Sequence, residues 1–399
     1  FIDLAERKES VLRLARLISF QPKRNIAGSG QLKITSVTTT ESVVDANGND
    51  ISNTPILWND VTNSAWQEQF NAVLNSALPR AQTIGKPQAT GTVGGITTDQ
   101  YRLNSSNIGL PSQSFSRNIN GLAMDFEIVP VALDNGFVVE ENPVPGNSLS
   151  FIYKNDGRGF SSNSTGYFFT FKQGEMNSTD FTIDSQLPNT IVSVEENGIN
   201  NDDVFLFKTD QNGLLEQAWT KVPAITGNNV IYNSLANNIT EQYAVVTKTA
   251  DQIDLIFSDG TYGTMPVGNF RVYYRQSNGL TYSIQTTDMQ NISYDVEYVS
   301  RNNQINTMTF TASLTSTVTN AARSQSILDI KTQAPQVYYA NNRMITPEDY
   351  QIIPLTQNPS LAKARAQVRA ISGTSRFLDV TDPTGVYSET DIVADDGML

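Results

Sequence analysis

The chain of 399 residues carries 27 basic and 40 acidic residues, a formal charge of −13, and neither histidine nor cysteine. Those two absences exclude disulfides, thiolate nucleophiles, iron–sulfur clusters, Cys-ligated zinc and every catalytic set built on imidazole. Acidity without clustered Lys and Arg argues against nucleic acid as a partner. A hydrophobic content of 39% is enough for real cores, and a prior of about 150 residues per domain predicts two or three of them.

Residues 3–20 read as a helix. Leu4, Val11, Leu14 and Ile18 repeat at the spacing of a narrow apolar seam, with Arg7 interrupting it. Pro22 ends the helix, and Ala27-Gly28-Ser29-Gly30 reads as a hinge. An isolated helix of this length is marginal in water, so the seam needs a cover, and a partner helix is the expected one. Strand character follows over Leu32–Val44. A second helix is expected from a Ser64/Gln67 capping box, with Trp66, Phe70, Val73, Leu74, Ala77 and Leu78 on one face and Pro79 as its stop. From Arg80 to Gly121 the chain is rich in Gly, Ser, Thr and Asn and reads as a connector or arm.

From Leu122 to Leu314 short aromatic and β-branched runs alternate with Asn/Gly/Asp turns, the pattern of an all-β region. Strands are expected at Met124–Leu133, Tyr167–Phe171, Thr190–Val194, Val204–Phe207, Tyr243–Thr247, Ile253–Phe257, Phe270–Arg275 and Tyr294–Val299. Helical spacing returns over Asn320–Thr332, closed by Pro335, and again at Thr346, with Pro347 in the first helical position. Alternation over Ala364–Ile371 predicts a strand whose outer face carries Arg365 and Arg369, available to an acidic neighbour such as the stretch Asp379–Asp396. No apolar run reaches the roughly 18 residues of a membrane-spanning helix, so no membrane insertion is expected. Lacking an initial Met and stopping at Asp396-Gly397-Met398-Leu399, the chain reads as a portion of something longer.

The search for chemistry is mostly negative. Asp45, Asn47 and Asn49 imitate the start of an EF-hand loop, but Asp50 stands where the turn glycine is needed and Ile56 where the closing Glu is needed. Phosphate-loop, dinucleotide and nucleophile-elbow patterns are missing. The doublets Glu140/Glu141, Glu195/Glu196, Asp202/Asp203 and Asp395/Asp396 read as solvated turns, because neighbours on a strand point to opposite faces and cannot share a site. No cofactor and no metal is expected.

One constellation stands out. Ile253-Asp254-Leu255-Ile256-Phe257-Ser258-Asp259-Gly260 leads through Gly263 and Pro266 to Phe270–Arg275, read as a hairpin whose turn rests on Asp259, Gly260, Gly263 and Pro266. The string resembles the signature hairpin of the J-like baseplate subunits of contractile-tailed phages, with Ser258 in place of a common Gly. Downstream, Asn342-Arg343-Met344-Ile345-Thr346-Pro347-Glu348-Asp349-Tyr350 resembles that family's helix-capping element. Ser372–Val380 through Tyr387-Ser388 resembles the large wedge member of T-even-type myophages.

The resemblance implies a non-enzymatic structural subunit of a tail baseplate wedge. Implied partners are a second copy within the wedge, copies in neighbouring wedges that close a ring, other wedge proteins and a sheath-initiating protein. The implied place is the virion tail, with assembly in the host cytoplasm. The expected architecture is α+β, mostly β: an N-terminal bundle helix (1–26), an α+β connector (31–121), a β-rich domain (122–250) and a J-like region (251–399). The alternative is a receptor- or glycan-binding tail protein using Tyr167, Phe168, Phe169 or Trp219. A glycosidase built on carboxylates is the more distant rival.

Overall fold

The computed structural model describes residues 2–357 other than 19, 43–47, 49, 51, 54, 58–88, 105–113, 142–147, 160, 226–239, 262, 300–302 and 341–346, together with residues 364 and 365. The chain divides into two units, Lys23–Ser324 and the pairing of Phe1–Pro22 with Gln325–Leu399. The expected helix over 64–79, the Asx-rich turn at Asp45 and Asn47, the Thr346 cap, Arg369 and the acidic stretch 379–396 all lie outside the described residues.

Among the described residues, unit Lys23–Ser324 is built of β-strands, with one 3-10 turn at Thr249–Asp251. Its first sheet runs β18 (Ile292–Val299), β19 (Ile305–Leu314), β1 (Ser29–Thr39), β10 (Gly166–Gln173), β9 (Ser148–Asn155), β4 (Ile96–Asn104), β3 (Ala89–Val93). Also joined to it are β2 (Ile56–Leu57), β5 (Ser114–Ile119) and β6 (Leu122–Ile128). The second sheet runs β11 (Glu175–Ile183), β17 (Gly268–Gln276), β13 (Ile199–Thr209), β14 (Leu215–Lys221), β15 (Gln242–Thr247), β16 (Ile253–Phe257), β12 (Ile191–Val194). A small hairpin pairs β7 (Val131–Asp134) with β8 (Phe137–Glu140).

Both large sheets coil on themselves, and the aromatic residues show it. Three strand spacings, about 14 Å in a flat sheet, separate β10 from β18, yet the rings of Phe169 and Tyr294 lie 5.1 Å apart. In the second sheet β17 and β16 are four spacings apart, about 19 Å if flat. The rings of Phe270 and Phe257 are 6.1 Å apart, and Trp219 packs edge-on against both. Each coil therefore closes around its own apolar core, where every large side chain contributes about 1.5–3 kcal/mol. Phe126, Phe171 and Phe310 are among the buried residues of the first core; Leu206, Leu255 and Val272 are among those of the second.

The expected strands between 122 and 314 all find counterparts, the one expected over Ala364–Ile371 lies almost wholly outside the described residues, and the apparent connector 80–121 holds three more, β3, β4 and β5. The expected domain boundaries do not follow the sheets. Strand β1 pairs with β10 and β19, so segments 31–121, 122–250 and 251–399 all contribute to one sheet. Strands β16 and β17 share the second sheet without pairing: β16 lies between β12 and β15, and β17 between β11 and β13. The expected hairpin over 253–275 is thus a crossover, because each strand finds its partners elsewhere.

The expected hinge is packed chain that runs into β1 at Ser29. Ala27 is buried, and a Cβ on Gly28 would fall 2.8 Å from the Tyr282 hydroxyl oxygen. One on Gly30 would fall 2.6 Å from a Val318 methyl. These glycines admit neighbouring side chains; they do not loosen the chain. Gly174, at φ +96, is the corner where β10 of the first sheet becomes β11 of the second, and a Cβ there would meet the Gln276 carbonyl oxygen at 2.0 Å.

In the other unit, α1 (Lys8–Leu17) is preceded by a separate 3-10 turn at Ile2–Leu4, so the helix is shorter than expected. Helix α2 (Ile327–Ala340) begins later than Asn320, because Ala322 is held in a bridge to Ile26 and Ser326 and Asp329 form the capping box. Pro335 lies inside α2 and does not close it. Burial of Ile330 and Ala334 before and at that turn, with Val337 packed beyond it, offsets the roughly 3 kcal/mol a helical proline costs. Helix α3 (Pro347–Gln357) starts at the proline expected there.

Candidate functional site

The seam residues separate. Val11 is buried with Leu12 and Ala15 against Ile330 and Ala334, and Leu14 and Ile18 pack half-buried on the same cluster. Leu4 sits in the 3-10 turn and is 86% exposed. The cover expected from a partner helix is supplied by α2 of the same chain. Arg365 is exposed.

At the turn after β16, Gly260 takes φ +92 and its N–H donates to the Ser258 hydroxyl at 3.2 Å, while the Asp259 carboxylate accepts from the Thr261 N–H at 2.9 Å. That hydrogen bond holds Asp259 below its ordinary carboxylate range. Gly263 has no positive φ, but a Cβ would lie 3.1 Å from the Thr240 carbonyl oxygen, so it serves close approach. Pro266 is buried beside it. The N–H groups of Gly260 and Thr261 are thus satisfied within the turn.

The most concentrated chemistry lies where the sheets meet, next to the Gly174 corner. Arg275, on β17, is 1% exposed. It donates to Glu127 Oε2 of β6 at 2.5 Å, to the Gly174 carbonyl at 3.2 Å and to Glu140 Oε1 of β8 at 3.3 Å. Its Nε stands 3.6 Å from Asp203 Oδ2 of β13. Lys172, on β10, donates to Asp203 Oδ1 at 2.6 Å and is ion-paired with Glu140 Oε2. Asn200 donates to Asp203 Oδ2 at 3.1 Å, and the Met176 N–H to Glu127 Oε1 at 3.2 Å. Three sheets thus meet in one cluster of two cations and three carboxylates.

Its electrostatics follow from that count, which leaves one surplus negative charge. Burial pushes Glu140 up, reinforced by Asp203, and its two cations do not fully compensate. Burial also acts on Asp203, but Lys172 and Arg275 outweigh it and hold that carboxyl down. Lys172 is desolvated too, yet Asp203 and Glu140 raise it on balance. Of Glu140 and Asp203, Glu140 is the one that takes an extra proton more readily.

A second polar network continues from it. Ser277 donates to Asn200 Oδ1 at 2.5 Å and accepts from Asn25 at 2.7 Å, and buried Arg24 donates to the carbonyls of Asn200 and Asn201 and to Thr247. Burial lowers Arg24 to about 10, with Asp251 opposing.

Reading the carboxylate doublets as solvated turns is corrected at two of them. Asp203 is buried and the Glu140 side chain is only 9% exposed, while Asp202 is exposed and Glu141 pairs with Arg102 in a half-buried bridge. Alternation sends one member of each doublet inward, and inward members from different strands converge. Glu195 and Glu196 are exposed as expected. Tyr167, Phe168, Phe169 and Trp219, the aromatics available to a glycan-binding reading, are all core residues. Among the described residues no group of three or more acidic side chains is arranged to hold a metal ion, and no described helix is long and apolar enough to cross a membrane.

A family model described as a domain of unknown function (DUF8360) matches residues 30–317. The chain belongs to that family. The matched span takes in both coiled sheets and every member of the ionic cluster and leaves out α1 and α2. No curated protein matches the chain.

Proposed function

We propose that this DUF8360 protein is a non-enzymatic structural subunit of a contractile phage tail, part of the baseplate wedge that links wedges into a ring and relays host contact to sheath contraction. The observation that supports it most is the use of buried charge. The cluster of Arg275, Lys172, Glu127, Glu140 and Asp203 ties three sheets together, as suits a subunit that transmits force. The resemblance of the Ile253–Arg275 and Asn342–Tyr350 segments supports the specific assembly. On this reading the partners are a second copy, neighbouring wedge proteins and a sheath-initiating protein, and the place of action is the virion tail.

The experiment is electron microscopy of the full chain co-expressed with the structural genes that neighbour its own. Rings of six-fold symmetry containing the chain are the expected result. A chain that stays monomeric beside assembled tail proteins refutes the assignment.

A further inference from the structure

We propose that Lys172 and Asp203 become joined by an intramolecular isopeptide bond, with Glu140 as the proton-transferring catalytic residue, so that the two coiled sheets are covalently stapled.

The reacting groups are already in place. Lys172 Nζ lies 2.6 Å from Asp203 Oδ1 and is paired on its other side with Glu140 Oε2. Amine, acceptor carboxyl and proton carrier come from three strands of three sheets, so each is held by a separate framework. Asp203 and Glu140 are buried, with side chains 5% and 9% exposed, which keeps bulk water from competing with the amine. The far oxygen, Asp203 Oδ2, accepts from Asn200 Nδ2 at 3.1 Å and faces Arg275 Nε at 3.6 Å. That Nε is buried and has no hydrogen-bond partner. Asn200 therefore donates to the oxygen on which negative charge develops, and the Arg275 guanidinium sets a positive charge beside it, the electrostatics an oxyanion hole supplies. Glu140, pushed up by burial, suits a carboxyl that takes a proton and gives it back.

The step balances within the protein. Against the pairing that raises Lys172 and holds Asp203 down, one ammonium proton passes through Glu140 to Asp203 Oδ1, leaving a neutral amine beside a neutral acid. Nζ bonds to Cγ, and the carbonyl electron pair moves onto Oδ2. Glu140 carries a second proton from the nitrogen to Oδ1, and the Cγ–Oδ1 bond breaks as water departs. The carbonyl re-forms at Oδ2, and the nitrogen keeps its third hydrogen as an amide N–H. Nothing is oxidised or reduced, and Glu140 ends as it began.

The inference does not depend on the baseplate assignment. Its test is the intact mass of the purified full-length chain under denaturing conditions. The expected result is a mass one water below that of the sequence, with fragmentation of the digested protein showing the peptides of Lys172 and Asp203 linked. Lys172→Arg and Glu140→Gln are expected to restore the full mass. A wild-type chain at full mass overturns the proposal, and the cluster is then an ionic clamp alone. A water deficit that maps elsewhere, such as a cyclised Asp-Gly, overturns it equally. The wild-type measurement decides even where a variant fails to fold, and a link that persists in a folded Glu140→Gln chain overturns the role given to Glu140.

Discussion

Arg275→Met tests whether the ionic cluster holds the sheets together. Arg275 meets Glu127, Glu140 and Asp203 with its side chain 1% exposed. Taking it away changes the local balance from two cations against three carboxylates to one against three, a shift from −1 to −2 with nowhere for solvent to compensate. Breaking a buried ion pair by removing one partner costs about 3–5 kcal/mol, chiefly because the surviving charge stays desolvated. Urea unfolding followed by the fluorescence of Trp219, which lies in the second core, is expected to show a loss of that size. Adding Glu127→Gln returns the count to −1 and should recover more than half of it.

The pH dependence carries an independent sign. Glu140 is already pushed up, and loss of the guanidinium pushes it further. A carboxyl raised in the folded state binds protons that the unfolded chain does not, so the variant should regain stability as pH falls from 7 towards 5. The direction is the same whether or not Lys172 and Asp203 are joined, since Glu140 loses its guanidinium in both cases. A single variant within about 1 kcal/mol of wild type, typical of an exposed pair, refutes the reasoning.

Gly260→Val should cost about 1–3 kcal/mol, because φ +92 is a conformation that a β-branched residue adopts only under strain and its side chain would crowd Met265; an unchanged urea midpoint would remove the turn from the folding-critical positions. Lys33 is lowered to about 8, burial being the larger cause and Asp156 opposing it. The folded state then releases this proton near pH 8 while the unfolded chain keeps it to about 10.5, so Lys33 makes stability rise with pH across that window. Lys33→Met should abolish the rise, and parallel stability curves for the two proteins would count against it.

How much of this was legible beforehand depends on what each residue answers to. Strands such as Ile253–Phe257 and Tyr243–Thr247 were legible because a buried strand needs bulky β-branched and aromatic residues wherever it pairs. Their partners were not. The Asp259-Gly260 sequence carries the local chemistry of a hairpin turn, but pairing is decided by the faces that β12, β15, β11 and β13 present, and those faces placed β16 and β17 apart. The Gly28-Ser29-Gly30 stretch misled for a related reason. Glycine marks flexibility in a free chain and close approach in a packed one, and only the positions of Tyr282 and Val318, some 250 residues or more away in sequence, separate the two.

The ionic cluster shows where local reasoning stops. Alternation along a strand is sound, and from it follows that the members of a doublet cannot act together. What it leaves open is that Glu140 and Asp203, the inward members of two different doublets, can act with each other. Their separation in sequence hides this, and so does the expectation that acidic doublets are solvated. Arg275 held the available hint. It sits at the end of Phe270–Arg275, where Phe270, Val272 and Tyr274 fill one core while Tyr273 and Arg275 are buried on the opposite face. A strand buried on both faces that still carries an arginine requires carboxylates to meet it, because an unpaired guanidinium there would be too costly to keep. Buried cations in apolar strands therefore identify which of a chain's acidic residues must turn inward.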